Sequence, residues 1–264
     1  MAAMALAAAA PAQSTQPNLQ CDSGSWVVNG LESFCKIVDT PAPFLGALSV
    51  KSGNGAITIR AWDEPTVFVR ARIDTAAASV FEAMETANQI AISVSGTQVQ
   101  ASGPPSTFTR NWNVSWEILV PRNADLSVTT GNGAIAISDI TGRIDFKAGN
   151  GAVSLTNLAG EVTGSTGNGA IAIHLGGNHW DGAGVTVKAG LGAISVHVPQ
   201  DYSAHFEAST SMGAISTNYP VHVSKGKWGF FPGFGGSLSF DAGFGGAPIR
   251  VTTGMGAITI QMEK

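Results

Sequence analysis

The stretch that decides the fold is Gly149-Asn150-Gly151-Ala152-Val153-Ser154-Leu155-Thr156, one copy of a segment that recurs along the chain. Apolar Val153 and Leu155 alternate in it with the small or polar Ser154 and Thr156. Strict alternation with period two is typical of a β-strand that buries one face. The other copies keep Gly-Ala-Ile after their first two residues, and they begin at Gly53, Gly131, Gly167, Gly190, Ser211 and Gly254.

A second short strand follows half a repeat later in several copies, as in residues 143–147, 161–163 and 185–188. A repeat with two short strands and two glycine turns cannot bury its apolar side chains alone. Stacked at the strand spacing of roughly 4.8 Å, successive turns would align Ile over Ile in one continuous core. The pattern therefore predicts an all-β chain built as a parallel β-solenoid, with the copy at Gly254 about two turns beyond the copy at Ser211.

The Gly-Asn-Gly segments are predicted to form the corners between strands. Glycine and asparagine both tolerate positive φ, and asparagine amides stacked on successive turns can hydrogen-bond along the solenoid axis. We therefore expect a ladder of Asn132, Asn150 and Asn168. From Leu191 onward the ladder position holds Leu or Met. We interpret these residues as apolar packing at the corner, with a second binding surface as the alternative.

Residues 58–130, between the first two copies, follow a different pattern. A strand is expected at 66–73, and a helix should then run from a cap at Asp74 or Thr75 through about Asn88. Two more strands are expected near 90–94 and 112–120. Because a solenoid end exposes an open core and an unpaired strand, we interpret this α/β insertion as a cap. The face of the helix that packs is predicted to hold Val80, Phe81, Met84 and Ala87.

The first residues indicate export. Residues 1–12 are nearly all Ala, Leu and Met and end in a small-residue stretch, which predicts a signal peptide remnant without its usual positive region. The alternative is an ordinary disordered terminus. Cys21 and Cys35 are the only cysteines, and an oxidising compartment would permit a disulfide between them, worth roughly 3 kcal/mol. Two free buried thiols are the alternative. A periplasmic, cell-surface or extracellular location is expected.

Four regions are therefore expected along the chain. A Cys-containing segment at 13–44 follows the signal remnant, the strand and helix cap region takes 45–130, and the repeats take 131–264. A Gly/Phe-rich insertion at 221–247 interrupts the repeats. It is interpreted either as a loop folded back on the solenoid end or as an exposed contact site for a partner or glycan. The candidate contact residues of this loop are Trp228, Phe230, Phe231 and Phe234.

Several functional classes are disfavoured. Lys and Arg number 14 against 18 Asp and Glu, for a net charge of −4 with no basic block, so nucleic-acid binding is not expected. No later apolar run reaches the roughly 20 residues of a transmembrane segment. The acids Asp139, Asp145 and Glu161 fall in different columns, which does not favour a glycosidase-like carboxylate pair. We predict no catalytic residue and no cofactor.

A metal site is also not predicted. Calcium-binding β-rolls use Asp where this chain has Val153, so their carboxylate ligands are missing. His174 and His197 should share an outward column on adjacent turns, near enough to bind one transition metal ion together. Two ligands fall short of the three or four that a protein site requires, so we interpret both histidines as solvated surface residues.

Several segments resemble the bacterial "putative adhesin" family. They are the Cys35 segment, the strand at 57–63, the strand and helix insertion, Trp116-Glu117-Ile118-Leu119-Val120-Pro121-Arg122 and the repeated Asn-Gly turns. The resemblance covers nearly all of the expected mature chain. It implies a single-stranded right-handed parallel β-helix in an exported bacterial protein. Relatives often carry Asp after Asn-Gly, whereas this chain has Ala, which puts a cation-binding role at that position in doubt.

The outward alanines suggest a function. Followed by Ala, Ser or Thr, they should form a flat, neutral face of small side chains along the axis. We predict a non-catalytic exported surface, adhesion or self-assembly module whose partner is a second copy, a cell envelope or a glycan. The alternative is a carbohydrate-binding or carbohydrate-cleaving β-helix protein. The candidate contact face holds Ala134, Ala152, Ala170, Ala193, Ala214 and Ala257.

Overall fold

The structure, a computed structural model, describes residues 17–21, 27–28, 30–221, 224–225 and 234–263. The predicted signal remnant at 1–12 lies outside the described residues. So do Trp228, Phe230 and Phe231 of the aromatic loop, and of Phe234 only the backbone is described.

The described chain is all-β apart from one helix, which confirms the predicted class. In chain order the elements are β1 Val27–Val28, β2 Leu31–Pro43, β3 Ala47–Asn54, β4 Ile57–Trp62, β5 Thr66–Ala77, α1 Val80–Gln89, β6 Ala91–Ser95, β7 Gln98–Ser102, β8 Asn111–Pro121, β9 Asp125–Asn132, β10 Ile135–Ser138, β11 Thr141–Asn150, β12 Val153–Thr156, β13 Ala159–Asn168, β14 Ile171–His174, β15 Gly184–Leu191, β16 Ile194–Val198, β17 Ala204–Met212, β18 Ile215–Thr217, β19 Ser224–Lys225, β20 Phe234–Ala242, β21 Pro248–Met255 and β22 Ile258–Met262.

The strands form two separate mixed sheets of eleven strands each. The first sheet has the order β1-β2-β5-β8-β4-β10-β12-β14-β16-β22-β18, and the second has β19-β20-β17-β21-β15-β13-β11-β9-β3-β7-β6. In each repeat one strand joins the second sheet and the next joins the first, and both pair in parallel with their counterparts one turn away. The chain thus alternates between the sheets turn by turn.

The core lies between the inner faces of the two sheets. Ile135, Val153, Ile171 and Ile194 are register partners on successive strands of the first sheet, and all are fully buried. The second sheet has a matching buried column on its inner face. It starts at Ile144 on β11 and continues through the register partners of Ile144 on β13, β15 and β21. Identical spacing on every turn makes this one continuous hydrophobic core.

Close packing of turns explains why most corners use two glycines. A Cβ at Gly167 or at Gly169 would overlap the carbonyl oxygen of the matching glycine one turn away, Gly149 or Gly151. Gly169 also has a φ of +158°, at the limit of the left-handed region. Asparagine also tolerates positive φ, but Asn132, Asn150 and Asn168 do not adopt it. The second glycine makes the bend, and the asparagine side chain is free to hydrogen-bond.

The last copy of the repeat is not where the sequence spacing predicts it. β21 lies between β15 and β17, and β22 lies between β16 and β18, so the copy at Gly254 is inserted between those at Gly190 and Ser211. The chain turns back through β20, which runs antiparallel along the outer side of β17. Because every copy presents the same pairing pattern, the pattern does not encode the order in which copies stack.

The insertion after the first copy extends both sheets at one end. On the first sheet β8 pairs in parallel with β4 and antiparallel with β5, and β2, which precedes the first copy, pairs antiparallel with β5. The β6–β7 hairpin extends the second sheet through β3. β3 and β4 of the first copy pair directly with β9 and β10 of the second. The excursion between the first two copies therefore leaves their stacking intact.

The helix differs from its prediction in its start and in its buried face. β5 continues to Ala77, and Ser79 caps the helix by accepting a hydrogen bond from the Glu82 backbone, so the predicted cap at Asp74 or Thr75 is wrong. Ala87 is buried as predicted, together with Ala83, whereas Phe81 is 63% exposed and Val80 and Met84 are exposed too, which contradicts the prediction for these three. Small residues let the helix approach β2 and β5 closely. Within the described residues, no helix is long and apolar enough to cross a membrane.

The segment 17–21 is attached to the first sheet by two devices. Cys21 and Cys35 form a disulfide, as one of the two expectations had it. Buried Glu117 pairs with Arg60 and accepts hydrogen bonds from the backbone amides of Asn18 (2.7 Å) and Leu19 (2.6 Å). The buried carboxyl group of Glu117 thus has its hydrogen-bonding capacity satisfied, and it connects segment 17–21 to β8.

Candidate functional site

One long edge of the molecule runs along the corners where strands of the second sheet pass into the first. We call it the corner edge, and it consists of the ladder position of each turn and the alanine two residues later. Strand pairing places the ladder positions in one row. In spatial order the row is Asn54, Asn132, Asn150, Asn168, Leu191, Met255 and Met212.

The first half of this row is a chain of amide hydrogen bonds. Asn132 Nδ2 donates to Asn54 Oδ1 (2.8 Å), Asn150 to Asn132 (2.8 Å) and Asn168 to Asn150 (2.7 Å). Asn54 was not among the predicted ladder residues. Its own Gly-Asn-Gly segment was the available signal, but 78 residues separate it from Asn132 in the chain. The ladder uses the side-chain amides internally, so it rigidifies this part of the edge.

The second half of the row is apolar and open to solvent. Leu191, Met255 and Met212 are 49%, 50% and 45% exposed, and they are neighbours on successive turns. These residues lie side by side at the corner, as expected of apolar corner packing, but about half of each side chain is exposed. A corner residue points away from both sheets, so the structure offers no interior in which to bury it. Three large apolar side chains therefore form an exposed ridge at the strand spacing of about 4.8 Å.

The candidate alanines flank this row. Ala134, Ala152, Ala170, Ala193, Ala214 and Ala257 are all exposed. Each lies at the end of a corner, immediately before a first-sheet strand. Neither the row nor the alanine column contains a charged side chain. The corner edge is thus a neutral surface, with amides along one half and apolar side chains along the other.

The outer face of the second sheet is charged, in contrast. Arg143 Nη2 pairs with Glu161 (3.0 Å), and Arg250 Nε pairs with Glu207 (3.1 Å). The hydrogen bond to Glu161 raises the pKa of Arg143 above its ordinary value, and the hydrogen bond from Arg250 lowers the pKa of Glu207 below its ordinary value. Solvated ion pairs of this kind keep a surface in water. The two surfaces therefore differ in the partners that they suit.

One group of residues has the order of a catalytic triad. His205 Nδ1 lies 2.7 Å from Asp241, and its Nε2 lies 3.4 Å from Ser239 Oγ. Glu207 Oε1 is also 3.4 Å from Nε2. With a carboxylate at each ring nitrogen, neither nitrogen is a clear acceptor for the serine proton. The arrangement does not support nucleophilic catalysis.

The predicted histidine pair gains a third neighbour. His174 and His197 are register partners whose rings stack in parallel at 4.3 Å, and His197 Nδ1 lies 3.4 Å from Glu263 Oε1. Glu263 follows the inserted strand β22 directly. Sequence reasoning missed it because the copy at Gly254 was expected to lie beyond the copy at Ser211. These three side chains are the group in the described chain that could hold a metal ion.

No protein-family model and no curated protein matches the chain. Among solved structures it is similar to a "putative cell adhesion protein" from Clostridium sporogenes, at 20% identity over 88% of this chain and 100% of that one, with a TM-score of 0.41. A "putative adhesin" from Bacteroides fragilis is 12% identical over 86% of this chain and 97% of that one, with a TM-score of 0.44. A "putative lipid binding protein" from Parabacteroides distasonis is 11% identical over 87% and 97%, with a TM-score of 0.31. At these TM-scores, arguments about function rest on this chain's own residues.

Proposed function

We propose that the protein is a non-catalytic, exported surface module that associates with a second copy of itself through the corner edge. The observation that carries this proposal is the exposed ridge of Leu191, Met255 and Met212 beside an uncharged alanine column. Exposed apolar side chains in a contiguous row are typical of an interaction surface. The Cys21–Cys35 disulfide supports export, since disulfides persist in oxidising compartments.

A second copy is the partner that this edge fits best. Both edges would repeat at the same strand spacing, so the ridge and the alanines of one copy match those of another along their whole length. Small alanine side chains allow close approach, and the larger Leu and Met side chains supply apolar area to bury. The regular register supports a further proposal, that the alternating turns form a right-handed parallel β-helix, because parallel crossovers are nearly always right-handed.

Two double variants test the role of the edge. Leu191→Lys with Met255→Lys places two charges on the ridge, whereas Ser127→Lys with Thr163→Lys places two charges on the exposed outer face of the second sheet. Size-exclusion chromatography with multi-angle light scattering should show an assembled wild type, an assembled control and a monomeric ridge variant. A monomeric wild type, or a ridge variant that assembles as the control does, would refute self-association.

A carbohydrate-binding role is the second candidate. It is favoured by Phe244, whose ring is fully exposed beside the predicted aromatic insertion and could stack on a sugar. Glycan-array binding combined with a reducing-sugar assay separates the candidates. Binding without sugar release that is lost in Phe244→Ala would establish a lectin-like role, and sugar release would establish an enzyme. Absence of both leaves self-association as the function to test.

A further inference from the structure

We propose that His174, His197 and Glu263 bind a divalent transition metal ion such as Zn²⁺, which fastens the inserted C-terminal strand to the rest of the fold. The proposal is independent of the self-association proposed above. Its basis is that one ligand atom from each of these residues lies within 4.8 Å of the others. Two imidazoles and one carboxylate form a ligand set used for zinc, with a fourth position left for water.

The distances between the ligand atoms suit a metal once a histidine ring has turned. Zinc bonds of roughly 2.0–2.2 Å in a tetrahedral arrangement separate ligand atoms by about 3.4 Å. The separation of His197 Nδ1 and Glu263 Oε1 is 3.4 Å. His174 is half-buried and lies at the surface, so rotation about its side-chain torsions can bring its nitrogen into the same range. Strand pairing holds the two histidines side by side on adjacent turns, but their rings stack in parallel, so at least one ring must turn before both nitrogens point at one ion.

The backbone around Glu263 is fixed from both sides. The Glu263 amide donates to the carbonyl of Val198 (2.8 Å). The Asn218 side chain holds the preceding residue, donating to the Met262 carbonyl (2.9 Å) and accepting from the Met262 amide (2.8 Å). The carboxylate is therefore presented to the histidines by an ordered segment, which lowers the entropic cost of assembling three ligands.

The ligand chemistry selects the class of metal. Imidazole nitrogens favour zinc, copper, nickel and related ions, whereas calcium and magnesium prefer sites made only of oxygen. Binding would connect β14 and β16 to the residue that ends β22. Since β22 is inserted between β16 and β18 after the chain has turned back, the metal would link strands that are distant in sequence and would oppose withdrawal of β22.

The test uses the full mature chain without a histidine tag, stripped with a chelator and titrated with Zn²⁺ by isothermal calorimetry. We expect one Zn²⁺ per chain, and binding at least about tenfold weaker in His197→Ala and in Glu263→Gln. His179→Ala and His205→Ala, which change histidines outside the cluster, should bind as the wild type does. An absence of saturable binding, or equal binding in His197→Ala, would overturn the proposal.

A second measurement tests the fastening itself. At Zn²⁺ about 100-fold above its dissociation constant, the wild-type melting temperature should rise by roughly 5–10 °C, and Glu263→Gln should show less than half of that rise. Amide hydrogen exchange in residues 258–262 should slow when the metal is added. Binding with unchanged exchange in β22 would show that the metal does not fasten the strand.

Discussion

Replacing Gly164 with alanine is expected to destabilise the protein, although alanine suits a strand better than glycine does. Gly164 lies on the buried face of β13, and its register partner on β11 is Phe146. The aromatic ring covers the glycine, and an added Cβ would overlap three ring atoms. The other residues in this column are Val128, Val187 and Val251. The large Phe146 and the side-chain-free Gly164 therefore occupy two positions at which the column otherwise has valine.

The expected magnitude follows from opposing effects. Gly164 has no positive φ, so alanine causes no backbone strain and gains about 0.5–1 kcal/mol from its lower entropy in the unfolded chain. Overpacking a close-packed core costs typically 1–3 kcal/mol, since Phe146 is buried and its neighbours leave the ring little room. We therefore expect Gly164→Ala to lower the free energy of unfolding by about 1–2 kcal/mol, and Gly164→Val to lower it further.

Guanidinium denaturation of four proteins measures this effect. They are the wild type, Phe146→Val, Gly164→Val and the double variant, which restores valine at both positions of the column. Each single change should destabilise, and the double variant should recover about 1–3 kcal/mol relative to the sum of the two. Additive effects within about 0.5 kcal/mol, or a Gly164→Ala protein as stable as the wild type, would contradict the packing argument.

Three further changes test other parts of the structure. Asn150→Asp removes the amide that donates to Asn132, and should cost about 0.5–1.5 kcal/mol in thermal unfolding at pH 7, whereas Ser127→Asn on the outer face should cost little. Reducing the Cys21–Cys35 disulfide should lower the free energy of unfolding by roughly 2–4 kcal/mol, and a Cys21→Ser, Cys35→Ser protein should show the same loss. A denaturation midpoint unchanged by reduction would refute this. The two hydrogen bonds from Arg70 lower the pKa of Asp39 below 3.8, so the ion pair should stabilise the fold above that pH and lose its effect as the pH falls below it. The wild type should therefore exceed Asp39→Asn by up to about 1 kcal/mol at pH 7, and this difference should shrink as the pH falls below the usual pKa of an aspartate; a difference that stays constant with pH would argue against the pair.

Local patterns in the sequence were enough to predict the repeated strands and much of the candidate surface. The alternation in Val153-Ser154-Leu155-Thr156 predicts a strand with one buried face, and that strand is present with Val153 and Leu155 buried. The exposed alanines lie in the column where alternation places them. These inferences hold because strand geometry is local: side chains alternate whatever the partner strand is.

The helix shows where local patterns fail. Val80, Phe81 and Met84 are apolar and share a helical face, yet they are exposed, while Ala83 and Ala87 are buried. The choice of face depends on how closely the helix approaches β2 and β5, and small residues permit the closer contact. Hydrophobicity alone favours the large side chains, so it selects the wrong face. The exposure of Leu191 and Met255 has a related cause, because corner geometry directs them outward.

The sequence by itself determined that the chain is built from repeated strands, where the corners lie and which residues of the repeated strands face the core. Only the tertiary structure decided the order of the turns, because every copy offers the same hydrogen-bonding edge and the same apolar column to any neighbour. That order places the copy at Gly254 between those at Gly190 and Ser211. The same order places Glu263 next to His197, although 66 residues separate them in the chain. A repeat pattern specifies the unit, and the long connections between units determine which of them become neighbours.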